Sequence, residues 1–326
     1  MRFLCMLFVA SCALLLAAGA AAAQSYPTKP IRIVVPFTPG SASDILARIL
    51  GPRMLDNWGQ QVVVDNRPSA AGVVAGEIVA KSLPDGYTLM VTSSAFSGSA
   101  ALGMKLPYDS VKDFVGISQI VSTPLVVVVG PALGVRSLTD LIALAKQSPG
   151  KINYASSGIG SGTHYAGELF RLAAGIDVVH VPYRGTPEAL NDTLAGRIEY
   201  YITPLLPAVA LIKGERLLAL AVTTAQRVPL LPDVPTIAEA ALAGFEYDGW
   251  FGVFAPALTP RTVITSLSRE VARIMALADV RERIASLGAV PKPSTPEAFT
   301  AMVHGDIVMR GKVFKAPGAQ TAKPTP

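Results

Sequence analysis

The sequence predicts an α/β protein built on a parallel, doubly wound sheet, and three observations carry that expectation. Short β-branched runs alternate with stretches of helical apolar spacing along most of the chain. One run, Leu125 to Val129, is apolar at every position, as a strand buried on both faces is. A strand, a small-residue loop and a helix follow one another three times, beginning at Ile31, Ile152 and Val178.

The chain opens with Arg2, an apolar run from Phe3 to Ala18 and then Ala21-Ala22-Ala23, the form of a secretory signal peptide cleaved after Ala23. A retained membrane anchor and a lipoprotein cleavage box at Val9 to Cys12 are the competing readings. The Ala/Gly stretch and soluble-looking strand that follow weigh against the first, and the strongly apolar sequence after Cys12 weighs against the second. Both cysteines, Cys5 and Cys12, fall inside this segment, so the mature chain would carry no thiol nucleophile, disulfide or zinc–thiolate site. Removing 23 of the 326 residues leaves 303, enough for two lobes of ordinary domain size. The net charge falls from +5 to +4, since Arg2 is the only charged residue removed. Lys and Arg are scattered with no run of five, so nucleic acid is not an expected partner.

In order, the first strand is Ile31 to Phe37 and its helix Ile45 to Leu55. Gln61 to Asp65 is the second strand, Val73 to Ser82 a helix, and Thr88 to Ser93 the third strand. Ligands in such sheets collect at the carboxyl ends of strands, so the polar segment Thr92 to Ala101 should face the same crevice as the opening loop. A buried strand lies between Pro124 and Pro131, followed by a helix from Leu138 to Gln147 and a strand from Ile152 to Ser156. The next helix spans Thr163 to Ala174. Val178 to Tyr183 is again a strand, and Thr186 as N-cap before Pro187 is a well-formed helix start. Further strands are expected at Arg197 to Ile202, Leu217 to Thr223 and Trp250 to Ala255. Helices are expected at Arg261 to Ala276, Asp279 to Leu287, and Pro296 to Val308 or a little beyond, with a disordered tail at 317–326.

Candidate chemistry concentrates in two loops. In VVPFTPGSASD (Val34 to Asp44), Pro39, Gly40, Ser41, Ala42 and Ser43 offer little bulk. The N–H groups and positive dipole end of the following helix are left open to a carboxylate or phosphate. A capped turn is the plain alternative, because Ser41 and Asp44 have capping-box spacing. Asp44 could equally meet an ammonium group; unpaired, it would repel an anion. The loop Ser157 to Gly162 is neither a dinucleotide fingerprint nor a P-loop, but it supplies flexible backbone and the hydroxyls of Ser157, Ser161 and Thr163 at a helix start. Arg184 is a candidate counter-charge or a surface residue. His164 beside Ser161 invites a Ser/His reading, yet GxSxG and HExxH are absent, and His180 lies in an apolar strand. No cofactor and no metal are expected.

YPTKPIRIVVPFTPGSASD, VVVDNRP, LPDGYTL, LPYDSVKDF, INYASSGIGSGTHYAGELF, VVHVPYRGTPEALND, LLALAVTT, LPDVPTIAEA and WFGVFAPA run in one order from Tyr26 to about Gly311. In that order they resemble the extracytoplasmic solute-binding proteins of tripartite tricarboxylate transporters, the Bug family. The resemblance implies a periplasmic-binding-protein-like fold: two doubly wound α/β lobes joined by a two-segment hinge, lobe 1 being 24–124 with 250–316 and lobe 2 being 125–249. It implies a monomer that performs no chemistry, grips a small carboxylate between its lobes, and presents it to a membrane permease or a sensor protein. By motif, the ligand-binding residues would be Phe37, Pro39, Gly40, Ser41 and Asp44 in lobe 1. Those of lobe 2 would be Ser157, Ser161, Gly162 and Thr163, with Tyr183, Arg184, Thr186 and Thr203 nearby. Three departures stand out: Ser41 replaces the second glycine of the family's PGG, Ser69 to Val73 replaces a glycine-rich loop, and Thr203-Pro204 replaces Asp-Asn. The last removes a carboxylate that could meet a cationic part of the ligand and leaves a more apolar pocket. A secreted hydrolase using Ser161 and His164, and a sensing module without a transport role, are the alternative functions.

Overall fold

A computed structural model describes residues 26–69, 72–316 and 319. The expected signal peptide, Ala70 and Ala71, and nearly all of the expected tail lie outside the described residues. The first half is β1 (Ile31–Val35), α1 (Ala42–Trp58), β2 (Val62–Asn66), α2 (Val73–Ala80), β3 (Thr88–Ser93) and α3 (Ala95–Ala101). Strand alternation decides the layers: Ile31, Ile33 and Val35 pack with Leu46, Leu50 and Met54 of α1, while Val34 packs with Ala75 and Val79 of α2 on the opposite face.

The chain then enters β4 (Phe114–Val129), a 16-residue strand that runs through both halves of the sheet. The second half contains α4 (Leu138–Gln147), β5 (Asn153–Ser156), α5 (Gly162–Ala174), β6 (Val179–Pro182), α6 (Thr186–Leu194), β7 (Tyr200–Pro204), α7 (Leu205–Lys213), β8 (Leu218–Val222) and α8 (Ile237–Ala240). The return is β9 (Asp248–Pro256), followed by α9 (Arg261–Ala276), α10 (Ala278–Ser286), β10 (Val290–Pro291) and α11 (Pro296–Phe314). Val126 and Val128 face one core of the second half, and Leu125, Val127 and Val129 face the other.

The sheet corrects the expectation of parallel pairing throughout. β1 pairs in parallel with β2 and β3, and β5 with β6 and β7. β4 is antiparallel to β7, β8 and β9, and β9 is antiparallel to β3. The reason is connectivity. One uninterrupted strand serves both halves, and the strand that leads back must run against it. The two cross the junction side by side, Thr123 opposite Gly249 and Pro124 opposite Asp248. α11 spans the same junction, with Phe299 and Val303 in a core of the first half and Phe314 in a core of the second.

Three stretches given no element from sequence gain one: Ala95–Ala101 and Leu205–Lys213 are helices, and Phe114–Thr123 is strand. Gly185 is the N-cap of α6, with Thr186 its first helical residue.

Candidate functional site

Two helix starts face each other across the junction. At α1, Ser41 is the N-cap and its Oγ accepts from Asp44 N–H at 3.4 Å. The reciprocal half of a capping box is absent: the Asp44 carboxylate accepts instead from Gly40 N–H (2.8 Å), Arg48 Nε (3.0 Å) and Asn66 Nδ2 (3.1 Å). Burial alone would raise the Asp44 carboxyl, but these donors outweigh it and hold the group below its ordinary value. Its charge is thus paired with Arg48 and turned away from the helix mouth, which removes the conflict with an incoming anion. The N–H groups of Ala42 and Ser43 have no partner among the described residues.

α5 repeats the arrangement. Ser161 Oγ accepts from His164 N–H at 3.1 Å, leaving Gly162 and Thr163 N–H open. Gly158 (φ 117°) and Gly160 (φ 79°) take the left-handed conformation that lets the preceding loop fold under this helix. The loop is pinned from behind. Ser157 N–H donates to Thr163 Oγ1 (2.9 Å), Gly158 N–H to Ser156 Oγ (3.1 Å) and Gly160 N–H to His164 Nδ1 (3.1 Å). His164 and His180 stack at 4.1 Å, and Ser156 Oγ lies 2.5 Å from His180 Nε2. Burial, then the neighbouring His164, push His180 down to about 2, so His180 supports the loop in neutral form.

These helix starts open into one cleft. It is lined from the first half by Phe37, Ser41, Ala42, Ser43, Ser93 and Ser94, and from the second by Ser157, Gly162, Thr163, Thr186 and Pro204. Leu125 of β4, Tyr247, and Gly249, Trp250 and Phe251 of β9 complete it along the junction. The space between the walls, mouth included, is about 400 Å³. Ser43 Oγ is buried on this wall with no hydrogen-bond partner, and buried polar atoms are seldom left so. Tyr247 OH lies 3.1 Å from Ser94 Oγ and accepts from Arg310 Nη2 at 2.7 Å. Arg310, fully buried on α11, is held by Asp306 at 2.8 Å, and Asp306 also accepts from Trp250 Nε1 at 2.9 Å. Two cleft residues are therefore fixed by a buried ion pair on the helix that spans the junction.

Of the residues expected at the site, Phe37, Ser41, Ser157, Gly162, Thr163 and Thr186 line the cleft. The others do not. Pro39 and Gly40 are exposed on the outer turn of their loop, Asp44 is buried against Arg48 and Asn66, and Ser161 is buried as the N-cap of α5. Tyr183 donates its hydroxyl to Asp192 at 2.8 Å, and Arg184 is exposed. Thr203 is buried behind Pro204, with Oγ1 3.4 Å from the Pro204 carbonyl. Ser43, Tyr247 and Trp250 were not singled out; Ser43 lay inside the quoted loop, but Tyr247 and Trp250 reach the cleft only through the return of β9.

The halves touch directly around the cleft. Thr38 Oγ1 donates to Glu188 Oε2 at 3.0 Å. A Cβ on Gly98 would overlap the Gly160 carbonyl, and one on Gly162 would press on Ser94 Oγ and Tyr247 OH. The Ser161 hydroxyl accepts from the His164 backbone N–H at 3.1 Å. Among the described residues no cluster of three or more His, Cys, Asp or Glu could hold a metal.

The family described as tripartite tricarboxylate transporter family receptor matches residues 46–316. Protein BugT of Bordetella pertussis (strain Tohama I) is 36% identical over 307 residues, covering 93% of this chain and 94% of BugT. The structure of Rpa4515 from R. palustris with adipate superposes with a TM-score of 0.87 at 35% identity, over 89% of this chain and 98% of that one. MatC of Rhodopseudomonas palustris with bound malate gives 0.85 at 30% identity, over 89% and 100%. With this sequence match over most of its length and this two-half α/β architecture, the chain belongs to the tripartite tricarboxylate transporter receptor family of periplasmic solute-binding proteins.

Proposed function

We propose that the protein is exported by its N-terminal signal peptide to the periplasm, where residues 24–124 with 250–316 close against residues 125–249 on a small carboxylate. The junction strands β4 and β9 are the hinge, and the closed form is what a membrane permease of the tripartite class receives. The observation that carries this reading is the meeting of two helix starts with open N–H groups, Ala42/Ser43 and Gly162/Thr163, in one cleft. Four N–H donors, two from each half, and two positive dipole ends converge on this cleft. A ligand carboxylate bound there contacts both halves and favours the closed arrangement; the closure does no chemistry and stores no energy of its own. The carboxylates in Rpa4515 and MatC support the same ligand class.

The test is a thermal-shift panel of small carboxylates on the ligand-stripped mature protein. A ligand at 100 times its dissociation constant adds about 2.7 kcal/mol to stability. Stabilisation by carboxylates and not by the corresponding amides supports the reading; stabilisation by uncharged compounds alone overturns it. Delivery is tested by uptake of the stabilising carboxylate in cells with and without the permease genes.

A further inference from the structure

Arg310 is fully buried, and stability is a poor account of it. A buried ion pair often stabilises a fold no better than apolar side chains of the same volume, and Arg310 Nη1 meets no partner among the described residues. What the guanidinium does face is the cleft wall. Asp306 holds it from the Nε side at 2.8 Å, and its central carbon lies 4.3 Å from the centre of the Tyr165 ring. The positive end of the pair, Nη2, is thereby aimed at Tyr247 OH, 2.7 Å away, and that oxygen lies 3.1 Å from Ser94 Oγ. Tyr247 and Ser94 both line the cleft, and both oxygens stand against the start of α5, where a Cβ on Gly162 would press on them.

The proton count is fixed. An arginine only donates, so Arg310 fills a lone pair on the Tyr247 oxygen. The two hydroxyls have two protons between them and use one in the bond they share. Whichever way that bond runs, one O–H remains, and among the described residues it meets no acceptor. It is backed by a buried positive charge, and a charge-assisted hydrogen bond is about twice as strong as a neutral one.

We infer that Arg310 is a positioning residue for carboxylate capture: acting through Tyr247 and Ser94, it sets one hydroxyl donor beside the open N–H groups of Gly162 and Thr163. The inference rests on the carboxylate reading and adds a donor to it. Ser94 belongs to the first half and Tyr247 to the second, where its backbone N–H donates to the Thr223 carbonyl at 2.8 Å. The hydroxyl pair therefore forms only when the halves meet, so its loss should speed release without slowing capture.

The test titrates the mature protein with adipate, glutarate, succinate and malate by calorimetry and follows the tightest of them by stopped-flow tryptophan fluorescence. Tyr247→Phe is expected to weaken binding at least about tenfold, the worth of a hydrogen bond to a charged group, through faster dissociation at an unchanged association rate. Asp306→Asn/Arg310→Met removes the charge, leaves both hydroxyls and keeps an acceptor for Trp250; because no charge is left unpaired, it is expected to fold. It should weaken binding about fivefold, and Tyr247→Phe should cost about fivefold less in that background than in the parent. Equal costs in the two backgrounds mean that Arg310 does not act through Tyr247, and overturn the inference. Parent-like affinity in Tyr247→Phe, or a loss carried by slower association, overturns it while the carboxylate reading stands. Binding of none of the four acids to the parent overturns both.

Discussion

Replacing Gly98 by Ala separates the stability of the two halves from their closure. Gly98 lies in α3 of the first half, opposite Gly160 in the loop before α5 of the second. An added Cβ would overlap the Gly160 carbonyl oxygen and stand 2.7 Å from its carbonyl carbon and 3.1 Å from its Cα. These are backbone atoms, and the Gly160 N–H is tied to His164 at 3.1 Å, so they cannot swing aside as a side chain would. Inside α3 the same substitution is favourable, because Ala exceeds Gly in a helix interior by about 1 kcal/mol. The helix gain is present whether the cleft is open or closed, whereas the clash exists only when it is closed. With overpacking strain at the upper end of its usual range, about 3 kcal/mol, ligand affinity should fall about 150-fold. Ligand-free stability should hold or rise. Calorimetric titration with the stabilising carboxylate reads the first quantity, and unfolding of the ligand-free protein reads the second. Unchanged affinity refutes the reasoning, and so does a ligand-free stability lowered by about 3 kcal/mol, since the halves would then touch here with the cleft open.

Ser43→Ala removes a buried hydroxyl with no partner in the chain. It should leave ligand-free stability unchanged while weakening carboxylate binding about fivefold, the worth of one hydrogen bond, by titration. Asp306→Asn leaves the Arg310 guanidinium fully buried without its counter-charge and should cost about 3–5 kcal/mol in urea denaturation; a loss below about 1 kcal/mol contradicts the ion pair's role. Asp44 titrates below its ordinary value in the folded chain, because Arg48, Gly40 and Asn66 favour its charged form against the effect of burial. Its contribution is therefore fully present above the unfolded carboxyl's value of about 4 and is lost as pH falls through the lower folded value. Urea midpoints measured downward from pH 5 should fall less steeply in Asp44→Asn than in the parent.

Local grammar was legible wherever sequence neighbours decide the outcome. Ser41 and Ser161 cap their helices as their positions before α1 and α5 imply, and Leu138–Gln147 appears with the bounds its spacing predicts. What escaped depends on contacts distant in sequence. Phe114–Thr123 contains the polar residues Ser118, Gln119 and Ser122, which break the apolar pattern of a strand; they are buried in strand because Ser118 pairs with Ser294 and Ser122 with Asp248. The direction of β4 and β9 follows from one strand serving both halves, which no local pattern announces. At the site the loops themselves were visible, but not which of their residues face inward. Asp44 has the chemistry of a ligand contact, and only the approach of Arg48 and Asn66 takes up its carboxylate. Tyr247 gains its place from Arg310, 63 residues away.

The central claim is that the ligand's carboxylate sits between the starts of α1 and α5. The most direct measurement is a titration of amide-labelled mature protein with adipate or malate, following the backbone N–H resonances. The account predicts that Ala42, Ser43, Gly162 and Thr163 move most, together and in both halves, and saturate at one ligand per chain. Shifts confined to one half, or largest in the open groove between α9 and α11 at Arg261, Arg269 and His304, would contradict it.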